Sequence, residues 1–322
     1  MIGKKNKMSN KKMIAYGPVP SRRLGKSLGI NNIPPKICTY SCIYCQLGKT
    51  INMQVKRKEF YKTEEIIYAV KEKIKKAREK QEHIDYLAFV PDGEPTLDIN
   101  LKKEIEKLKP LGIKIAVITN SSLIDKKEVR DALLKSDWVS LKIDTVNKET
   151  WKKIDRPHGS LKLKEILKGI KFFSKNFKGD LVTETMMIKD INDNDIEIEN
   201  TANFISELNQ KISYISIPIR PPAEKWVKAA DEEKINKAYQ IFKERNINVE
   251  YLIGYEGNAF AQTGNIEEDI LSITSVHPMK KEAVEELLKK ADSNWNLIEK
   301  LIKEKKIKEV KYKENKFYMR II

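Results

Sequence analysis

The sequence contains little cysteine and little histidine, with three residues of each among its 322. An odd number of cysteines in a chain of this length argues against a disulfide framework. Uninterrupted apolar runs, such as residues 115–118, have the length of a strand, far below the roughly 20 residues of a membrane helix. The Lys- and Asn-rich N-terminus is not followed by the apolar segment of a secretory signal. We therefore expect a cytoplasmic protein that does not cross a membrane.

Acidic residues are almost absent from the first part of the chain. Residues 1–62 hold 14 Lys or Arg and a single acid, Glu59, whereas the remaining 260 residues hold 48 basic and 45 acidic residues. The formal net charge of +16 is therefore concentrated at the front. One interpretation is a solvated basic tail over residues 1–15. The other is electrostatic attraction of RNA or another anionic substrate.

All three cysteines, Cys38, Cys42 and Cys45, lie within eight residues. Such a group predicts a metal site. Zinc would need a fourth ligand from a distant histidine or carboxylate, because structural zinc sites close with four ligands. Three thiolates on a [4Fe–4S] cluster would instead leave one iron without a protein ligand and open to a small molecule. We favour the iron–sulfur centre and keep zinc as the alternative.

Strand-like and helix-like segments alternate after a Gly- and Pro-containing segment, residues 16–23, which we predict as an ordered loop. Strands are predicted at residues 27–33, 84–90, 114–119, 138–143, 181–188, 213–219 and 248–253. Helices are predicted at residues 64–79, with Thr63 as N-cap, and near 100–109, 126–136, 161–176, 194–210 and 231–245. This alternation predicts an α/β fold with a parallel sheet, either doubly wound or a barrel. We favour a partial (β/α)6-type barrel over residues 16–264.

The pattern changes near Asn265. Three short helices, at residues 267–274, 280–290 and 294–304, precede a hairpin of residues 307–312 and 316–321. This order resembles a winged helix, so we predict a small C-terminal winged-helix-like module over residues 265–322. Residues 300–320 hold nine basic and three acidic residues, which suits a nucleic acid or an acidic partner. A packing role as a lid is equally compatible with the sequence.

Polar residues follow the predicted strands, where ligands bind in parallel α/β folds. They are Pro91-Asp92-Gly93-Glu94-Pro95, Thr119-Asn120-Ser121-Ser122, Lys142-Ile143-Asp144, Lys189-Asp190-Ile191-Asn192-Asp193, Arg220-Pro221-Pro222 and Gly254-Tyr255-Glu256-Gly257-Asn258. Because parallel strands end at one edge, we expect these residues to share a face with the cysteines.

The spacing Cys38-x3-Cys42-x2-Cys45, with Tyr44 directly before the last cysteine, resembles the signature of the radical SAM (S-adenosylmethionine) enzymes. The resemblance implies a radical SAM barrel and a [4Fe–4S] cluster whose open iron binds S-adenosylmethionine. It also implies reductive cleavage of this cofactor to a 5′-deoxyadenosyl radical, which abstracts hydrogen from a substrate that the sequence does not identify. A one-electron donor such as flavodoxin or ferredoxin would supply the electron.

The same resemblance assigns cofactor contacts to other residues. The family's segment for the methionyl amino group matches at Gly93, Glu94 and Pro95, whereas Asp92 departs from it. Tyr44 would lie against the adenine, and the carboxylate or ribose would be contacted from Asn120, Lys142 and Asp144. Two alternatives stay open, since Asn120 could cap the following helix and Asp144 could form a salt bridge with Lys142.

Residues 17–25, 33–36 and 46–48 resemble a narrower group of stand-alone, wyosine-synthase-like radical SAM proteins, related to an enzyme that builds a tricyclic base in tRNA. This chain departs from wyosine synthases because it has no cysteines left for their second cluster. The resemblance implies tRNA or another anionic molecule as substrate. Substrate-facing candidates are Arg22, Arg23, Arg156, His158, Arg220, Glu224 and Trp226.

Two other functions are compatible with the sequence. One is a non-catalytic iron–sulfur or zinc protein that senses redox state or iron and binds nucleic acid through the C-terminal module. The other is an activating enzyme that places a glycyl radical on a partner protein.

Overall fold

The computed structural model describes residues 13–254, 258, 260–261 and 263–321. Most of the predicted basic tail, and residues 255–257 after the last predicted barrel strand, lie outside the described part of the chain. Within the described residues, no helix has the length and apolar character needed to cross a membrane.

Strands and helices alternate through the first 252 residues. In chain order the elements are β1 (Ala15–Ser21), β2 (Gly25–Ile30), β3 (Ile37–Cys38), β4 (Asn52–Met53), α1 (Thr63–Glu79), β5 (Tyr86–Phe89), α2 (Leu101–Leu108), β6 (Lys114–Thr119), α3 (Lys127–Leu133), β7 (Trp138–Lys142), α4 (Lys148–Ile154), α5 (Leu163–Asn176), β8 (Asp180–Met186), α6 (Asp195–Ser206), β9 (Ile212–Ser216), α7 (Glu232–Glu244) and β10 (Val249–Leu252). Short 3-10 turns, Pro95–Leu97 and Lys109–Leu111, flank α2.

Within the described residues, eight strands form one sheet in the order β1-β2-β5-β6-β7-β8-β9-β10. All neighbours from β2 to β10 are parallel, and β1 pairs antiparallel with β2. The sheet is open, because among these residues β1 and β10 form its two edges. Helices return the chain between parallel neighbours, so the carboxyl ends of the strands meet at one edge. The predicted α/β class with a parallel sheet is confirmed.

Apolar side chains between the sheet and its helices form the main core. Helix α5 shows how the sequence directs this packing, since it buries Leu163, Ile166, Ile170 and Phe173, which recur at the spacing of one helical face. Complete burial of one such side chain contributes roughly 1.5–3 kcal/mol. The helices are therefore held on the sheet mainly by their apolar faces. The polar residues at the strand ends are not needed for this packing and are available to bind ligands.

The predictions were wrong at the front of the fold. Residues 16–23 were predicted as a loop because of their glycine and prolines, but Ala15–Ser21 forms the edge strand β1. An edge strand tolerates proline because one side of its backbone needs no partner, and the register shift between Tyr16 and Val19 accommodates the irregular segment. This strand also begins inside the predicted tail 1–15.

The predictions also missed details of two helices. Thr63 is the first helical residue and not the N-cap, a position held by Lys62. Helix α4 was not predicted, although Asn147 carries its signal, since the side chain of Asn147 accepts hydrogen bonds from the backbone N–H groups of Glu149 (2.8 Å) and Thr150 (3.2 Å).

The C-terminal part of the chain consists of α8 (Ile266–Thr274), β11 (Met279–Lys280), α9 (Lys281–Lys290), α10 (Asn296–Lys303), β12 (Ile307–Tyr312) and β13 (Asn315–Arg320). Strands β12 and β13 form the predicted hairpin, and β11 pairs with β13. The helices and hairpin enclose a core that includes Ile273, Leu287 and Tyr318, and Tyr16 and Val19 of β1 pack into it. The C-terminal part therefore packs directly against the edge of the large sheet.

A buried ion pair fastens the C-terminal part to the barrel. Lys73 on α1 donates hydrogen bonds to Asp269 on α8 (2.9 Å) and to the hydroxyl of Thr263 (2.8 Å). Lys73 is 9% exposed and Asp269 is 1% exposed. Such a pair costs desolvation energy, so removing one partner leaves an uncompensated buried charge.

We expect Asp269→Ala to destabilise the folded chain by about 3–5 kcal/mol, because the ammonium of Lys73 stays buried without its carboxylate. The double variant Lys73→Met with Asp269→Leu should recover most of this loss, since it removes both charges at similar volume. Denaturant unfolding of the three proteins measures the difference. Equal stability of the single variant and the wild type would show that this contact does not fasten the two parts.

Candidate functional site

A cavity of about 320 Å³ opens at the carboxyl edge of the sheet, and Cys38, Cys42 and Cys45 all lie on its wall. Its other walls come from residues at the ends of the strands, including Asp92, Gly93, Glu94, Asn120, Lys142, Glu184, Ser216 and Arg220. The topology therefore brings the polar strand ends to the cysteines, as the sequence predicted. Lys189–Asp193 is not among the described residues that line the cavity.

Backbone hydrogen bonds hold the cysteine loop in place. Strand β3 ends at Cys38 and pairs with β4, and Tyr40 forms a bridge with Pro157. The N–H of Ile43 donates to the carbonyl of Ile154 at the end of α4 (2.9 Å), and the N–H of Cys45 donates to the carbonyl of Cys42 (3.1 Å). The loop that carries the thiols is thus fixed from both sides.

The protein environment disfavours negative charge on the three thiols. Burial, followed by the nearby charge of Glu94, raises the pKa of Cys38 to about 12. Burial also raises the pKa of Cys42 and of Cys45. A bound cation removes this penalty, because a coordinating thiol is deprotonated outright. Three half-buried cysteines on one cavity wall are therefore a donor set that fits an iron–sulfur cluster.

Among the described residues, no three Cys, His, Asp or Glu side chains converge closely enough to hold a single metal ion. A mononuclear zinc site completed by a distant histidine or carboxylate is therefore not formed by the described residues. A [4Fe–4S] cluster does not require the cysteines to converge on one metal ion, because each thiolate would bind a different iron. The three cysteines line the same cavity, as the ligands of one cluster must.

The buried carboxylate of Glu94 joins two strand ends. One oxygen accepts hydrogen bonds from the N–H of Thr96 (3.0 Å) and from the hydroxyls of Thr96 (2.6 Å) and Thr119 (2.7 Å). The other oxygen accepts from the N–H of Asn120 (2.8 Å). Glu94 thereby orders the loop after β5, and Pro95 begins the short 3-10 turn that Glu94 caps.

Gly93 lets this loop approach the cysteine strand. A Cβ at Gly93 would lie 1.9 Å from the carbonyl oxygen of Ile37, which no side chain tolerates. The N–H of Glu94 donates to the same carbonyl (3.2 Å). The preceding residue, Asp92, is buried and lies 3.5 Å from the ammonium of Lys36, and burial raises the pKa of Asp92 to about 6.

Asn120 reaches from β6 to the cysteine strand. Its side-chain amide donates to the hydroxyl of Thr39 (2.8 Å) and lies 3.5 Å from the sulfur of Cys38. Its side-chain oxygen accepts from the N–H of Ser122 (3.0 Å), which closes a turn and does not cap a helix. The side chain therefore borders the site that the sequence predicted for it.

Tyr44, Asp144 and Asp155 form a buried group beside Cys42. The hydroxyl of Tyr44 donates to Asp144, and Cys42 lies 3.3 Å from Asp155. Burial raises the pKa of both carboxyl groups, and the charge of Asp144 raises that of Asp155 further. The ammonium of Lys142 lies 5.0 Å from the centre of the Tyr44 ring and 3.7 Å from Asp144. The salt bridge that the sequence left open is thus present.

Glu184 at the end of β8 was missed by sequence reasoning. Its carboxylate binds Lys142 (2.9 Å), Arg23 and the hydroxyl of Ser216 (3.1 Å). Although burial opposes this, Lys142 and Arg23 hold the pKa of Glu184 well below its usual range. One sequence feature could have indicated this role: Glu184 is the one charged residue in the predicted strand of residues 181–188.

Three of the substrate candidates lie on the cavity wall: Arg22, Arg23 and Arg220. Arg220 donates to the side chain of Gln46 (2.7 Å) and lies 3.0 Å from the Nε2 atom of His277. Gln46 in turn donates to the carbonyl of Val276 (3.1 Å). The segment after α8 therefore supplies part of the cavity wall through Val276, and His277 contacts the wall residue Arg220 from behind, neither of which the sequence revealed.

The remaining candidates lie elsewhere. Glu224 pairs with Arg156 and with Lys49 (3.2 Å), and its N–H donates to the carbonyl of Ile43 (3.0 Å), so this group braces the cysteine loop from outside. His158 contacts Ser160, and Trp226 is 55% exposed. These four candidates, Arg156, His158, Glu224 and Trp226, are not among the described residues that line the cavity.

We expect Glu94→Gln to reduce iron retention after anaerobic reconstitution and to destabilise the chain by roughly 1–3 kcal/mol, because an amide nitrogen would replace an acceptor that faces hydrogen-bond donors. Iron and sulfide analysis together with denaturant unfolding measures both effects. Glu128→Gln on α3, whose side chain is 61% exposed, is the matched control and should behave like wild type. Normal iron content in Glu94→Gln would contradict this role of the carboxylate.

Comparisons with known proteins identify the family of this chain. The family model described as the Radical SAM superfamily matches residues 32–205. A UPF0026 protein of Methanocaldococcus jannaschii is 50% identical over 312 residues, which covers 96% of each protein. A UPF0026 protein of Helicobacter pylori is 34% identical and covers 68% of this chain and 71% of its own length.

A solved structure has the same fold. The radical SAM methyltransferase of Sphaerobacter thermophilus superposes with a TM-score of 0.51 at 15% identity, over 70% of this chain and 66% of that one. The parallel sheet of this chain is thus the partial barrel of that fold, and the cofactors of the superfamily are a [4Fe–4S] cluster and S-adenosylmethionine. The chain belongs to the radical SAM superfamily of enzymes and, within it, to the UPF0026 family.

Proposed function

We propose that Cys38, Cys42 and Cys45 hold the [4Fe–4S] cluster and that the adjoining cavity is where S-adenosylmethionine and substrate meet. The observation that supports this proposal is that the three cysteine thiols and the charged residues at the strand ends line one cavity. When bound, the cluster passes one electron from a donor such as flavodoxin or ferredoxin to the sulfonium, whose bond to C5′ breaks to give methionine and a 5′-deoxyadenosyl radical.

The residues of the cavity suit the polar parts of S-adenosylmethionine. The Lys142 ammonium is positioned by Glu184 at 2.9 Å and is a suitable partner for the methionyl carboxylate. The loop of Gly93 and Glu94 brings backbone close to the cysteine strand, where the methionyl amino group would bind. The Tyr44 ring offers an apolar face for the adenine. Asp144 is not among the described residues that line the cavity and its side chain is fully buried, so it would act indirectly, by accepting the hydrogen bond of the Tyr44 hydroxyl.

The cavity offers partial shelter for reactive chemistry. Cys38, Cys42 and Cys45 are half-buried, and the loop at Gly93 packs against the cysteine strand at Ile37. Bound cofactor and substrate would complete the exclusion of water from a reactive carbon radical and so limit side reactions. Hydrogen abstraction from a substrate C–H bond would then give 5′-deoxyadenosine and a substrate radical.

An anionic substrate, with tRNA as the preferred example, suits the charge of the protein. The net charge is +16, and Arg22, Arg23 and Arg220 lie on the cavity wall. The chemistry of wyosine synthases is not proposed, because the sequence has no cysteines beyond the three assigned to the [4Fe–4S] cluster. The comparisons favour neither the non-catalytic sensor nor the activating enzyme for glycyl radicals.

Anaerobic reconstitution with iron and sulfide, followed by dithionite and S-adenosylmethionine, tests the proposed activity. The wild type should form 5′-deoxyadenosine, measured by chromatography, and Cys42→Ala should form none because its cluster loses a ligand. Ser136→Ala, a buried change whose hydroxyl bonds only within its own turn, is the control and should keep the activity. A cluster with full iron content that never cleaves the cofactor, even when cell extract supplies substrates, would support the sensor function instead.

A second substitution tests the contact assigned to Lys142. Glu184→Gln should leave the iron content unchanged and raise the KM for S-adenosylmethionine about tenfold, since a charge-assisted hydrogen bond that positions Lys142 is weakened. Steady-state formation of 5′-deoxyadenosine at varied cofactor concentration gives KM and kcat separately. An unchanged KM would remove Glu184 and Lys142 from the cofactor site.

A further inference from the structure

The β12–β13 hairpin lies against the cavity rim. The hydroxyl of Tyr312, the last residue of β12, donates to the carbonyl of Pro218 (3.2 Å), and Pro218 lines the cavity. Lys311 and Lys313 flank Tyr312 in sequence and are exposed. The tip of the hairpin therefore presents its lysines beside the opening of the cavity.

Two positive charges face each other near the tip of the hairpin, which is unfavourable in the isolated protein. Lys311 and Lys316 are directly opposite each other in the hairpin, and like charges in such positions are destabilising. Lys313 has a φ of +50°, in the left-handed region where a non-glycine residue is uncommon. Lys316 pairs with Glu309 (2.9 Å), whereas among the described residues Lys311 and Lys313 form no ion pair with a carboxylate. An anionic ligand would relieve this repulsion.

An exposed tryptophan lies on the same connection of the barrel. Pro218 and Trp226 both belong to the segment between β9 and α7, and Trp226 is 55% exposed. Exposed Lys225 and Lys228 flank Trp226 in sequence. An exposed indole among basic residues is the combination with which proteins bind single-stranded nucleic acid, because bases stack on the ring and phosphates meet the cations. An acidic protein would use the lysines but has no special need for the indole.

We propose that Lys311, Lys313 and Lys316, here called the hairpin lysines, bind the phosphate backbone of a nucleic acid strand while a neighbouring base stacks on Trp226. The nucleotide to be modified enters the cavity beside them. This inference rests on the proposed radical SAM function, because it assigns a nucleic acid substrate to that site.

The combined variant Lys311→Ala, Lys313→Gly, Lys316→Ala tests the hairpin lysines in the reconstituted enzyme. Glycine at position 313 suits the left-handed backbone, so the variant should fold at least as well as the wild type. Fluorescence anisotropy with labelled RNA and DNA single strands of about 20 nucleotides should show at least about tenfold weaker binding. The slope of log affinity against log salt should fall by about 2, the value for three phosphate contacts on a single strand.

A matched control carries the same change of charge elsewhere. Lys75→Ala, Lys164→Ala, Lys175→Ala removes three exposed lysines from α1 and α5, none of which lines the cavity, and should retain the wild-type affinity. Trp226→Ala should weaken binding about fivefold or more, as expected for loss of one stacked base, without changing the salt slope. Comparison of the RNA and DNA arms identifies which strand is preferred.

Three results would overturn the inference: no binding of either strand by the wild type, equal weakening by the control variant, or equally tight binding of poly-glutamate, which would indicate an acidic protein. Cofactor cleavage by the same wild-type preparation, measured without substrate and with cell extract added, separates this failure from failure of the proposed function. Cleavage without strand binding refutes only the nucleic acid surface. Strand binding without cleavage refutes only the radical chemistry.

Discussion

The buried carboxylate of Glu94 is the contact on which the geometry of the site depends. It accepts hydrogen bonds from the ends of two loops, at Thr96 and at Thr119 and Asn120. Asn120 then donates to Thr39, next to Cys38. The Glu94 side chain thus connects the ends of β5 and β6 to the strand that carries Cys38. A carboxylate is needed because every group that points at it is a donor.

Around this framework the cavity balances opposite charges. Lys142 pairs with Glu184 and with Asp144, and Arg23 pairs with Glu184, while burial raises the pKa of the three thiols and of Asp155. A cluster that supplies positive charge at the thiols and a zwitterionic cofactor that presents both signs would complete this arrangement. The same residues that are costly to bury alone are therefore suited to charged ligands.

The sequence predicted local and repeating features well. Alternating apolar segments located most strands within a few residues, and the spacing of three cysteines located the site. Prediction from the sequence failed for features that depend on contacts between residues far apart in the chain. Strand β1 forms despite two prolines because it lies at a sheet edge, and Glu184 gains its role from Arg23 and Lys142, which are far from it in sequence. The part of the cavity wall supplied by Val276 follows from packing between distant segments, which no local sequence pattern indicates.

The central claim is that three thiolates leave one iron of the cluster open to S-adenosylmethionine. Mössbauer spectroscopy of the protein reconstituted with the Mössbauer-active iron isotope, before and after addition of the cofactor, tests it most directly. The account predicts that one iron in every four changes its signal on binding while the other three stay the same. A spectrum in which all irons are unaffected by the cofactor, or in which the iron is not present as a cubane cluster, would contradict it.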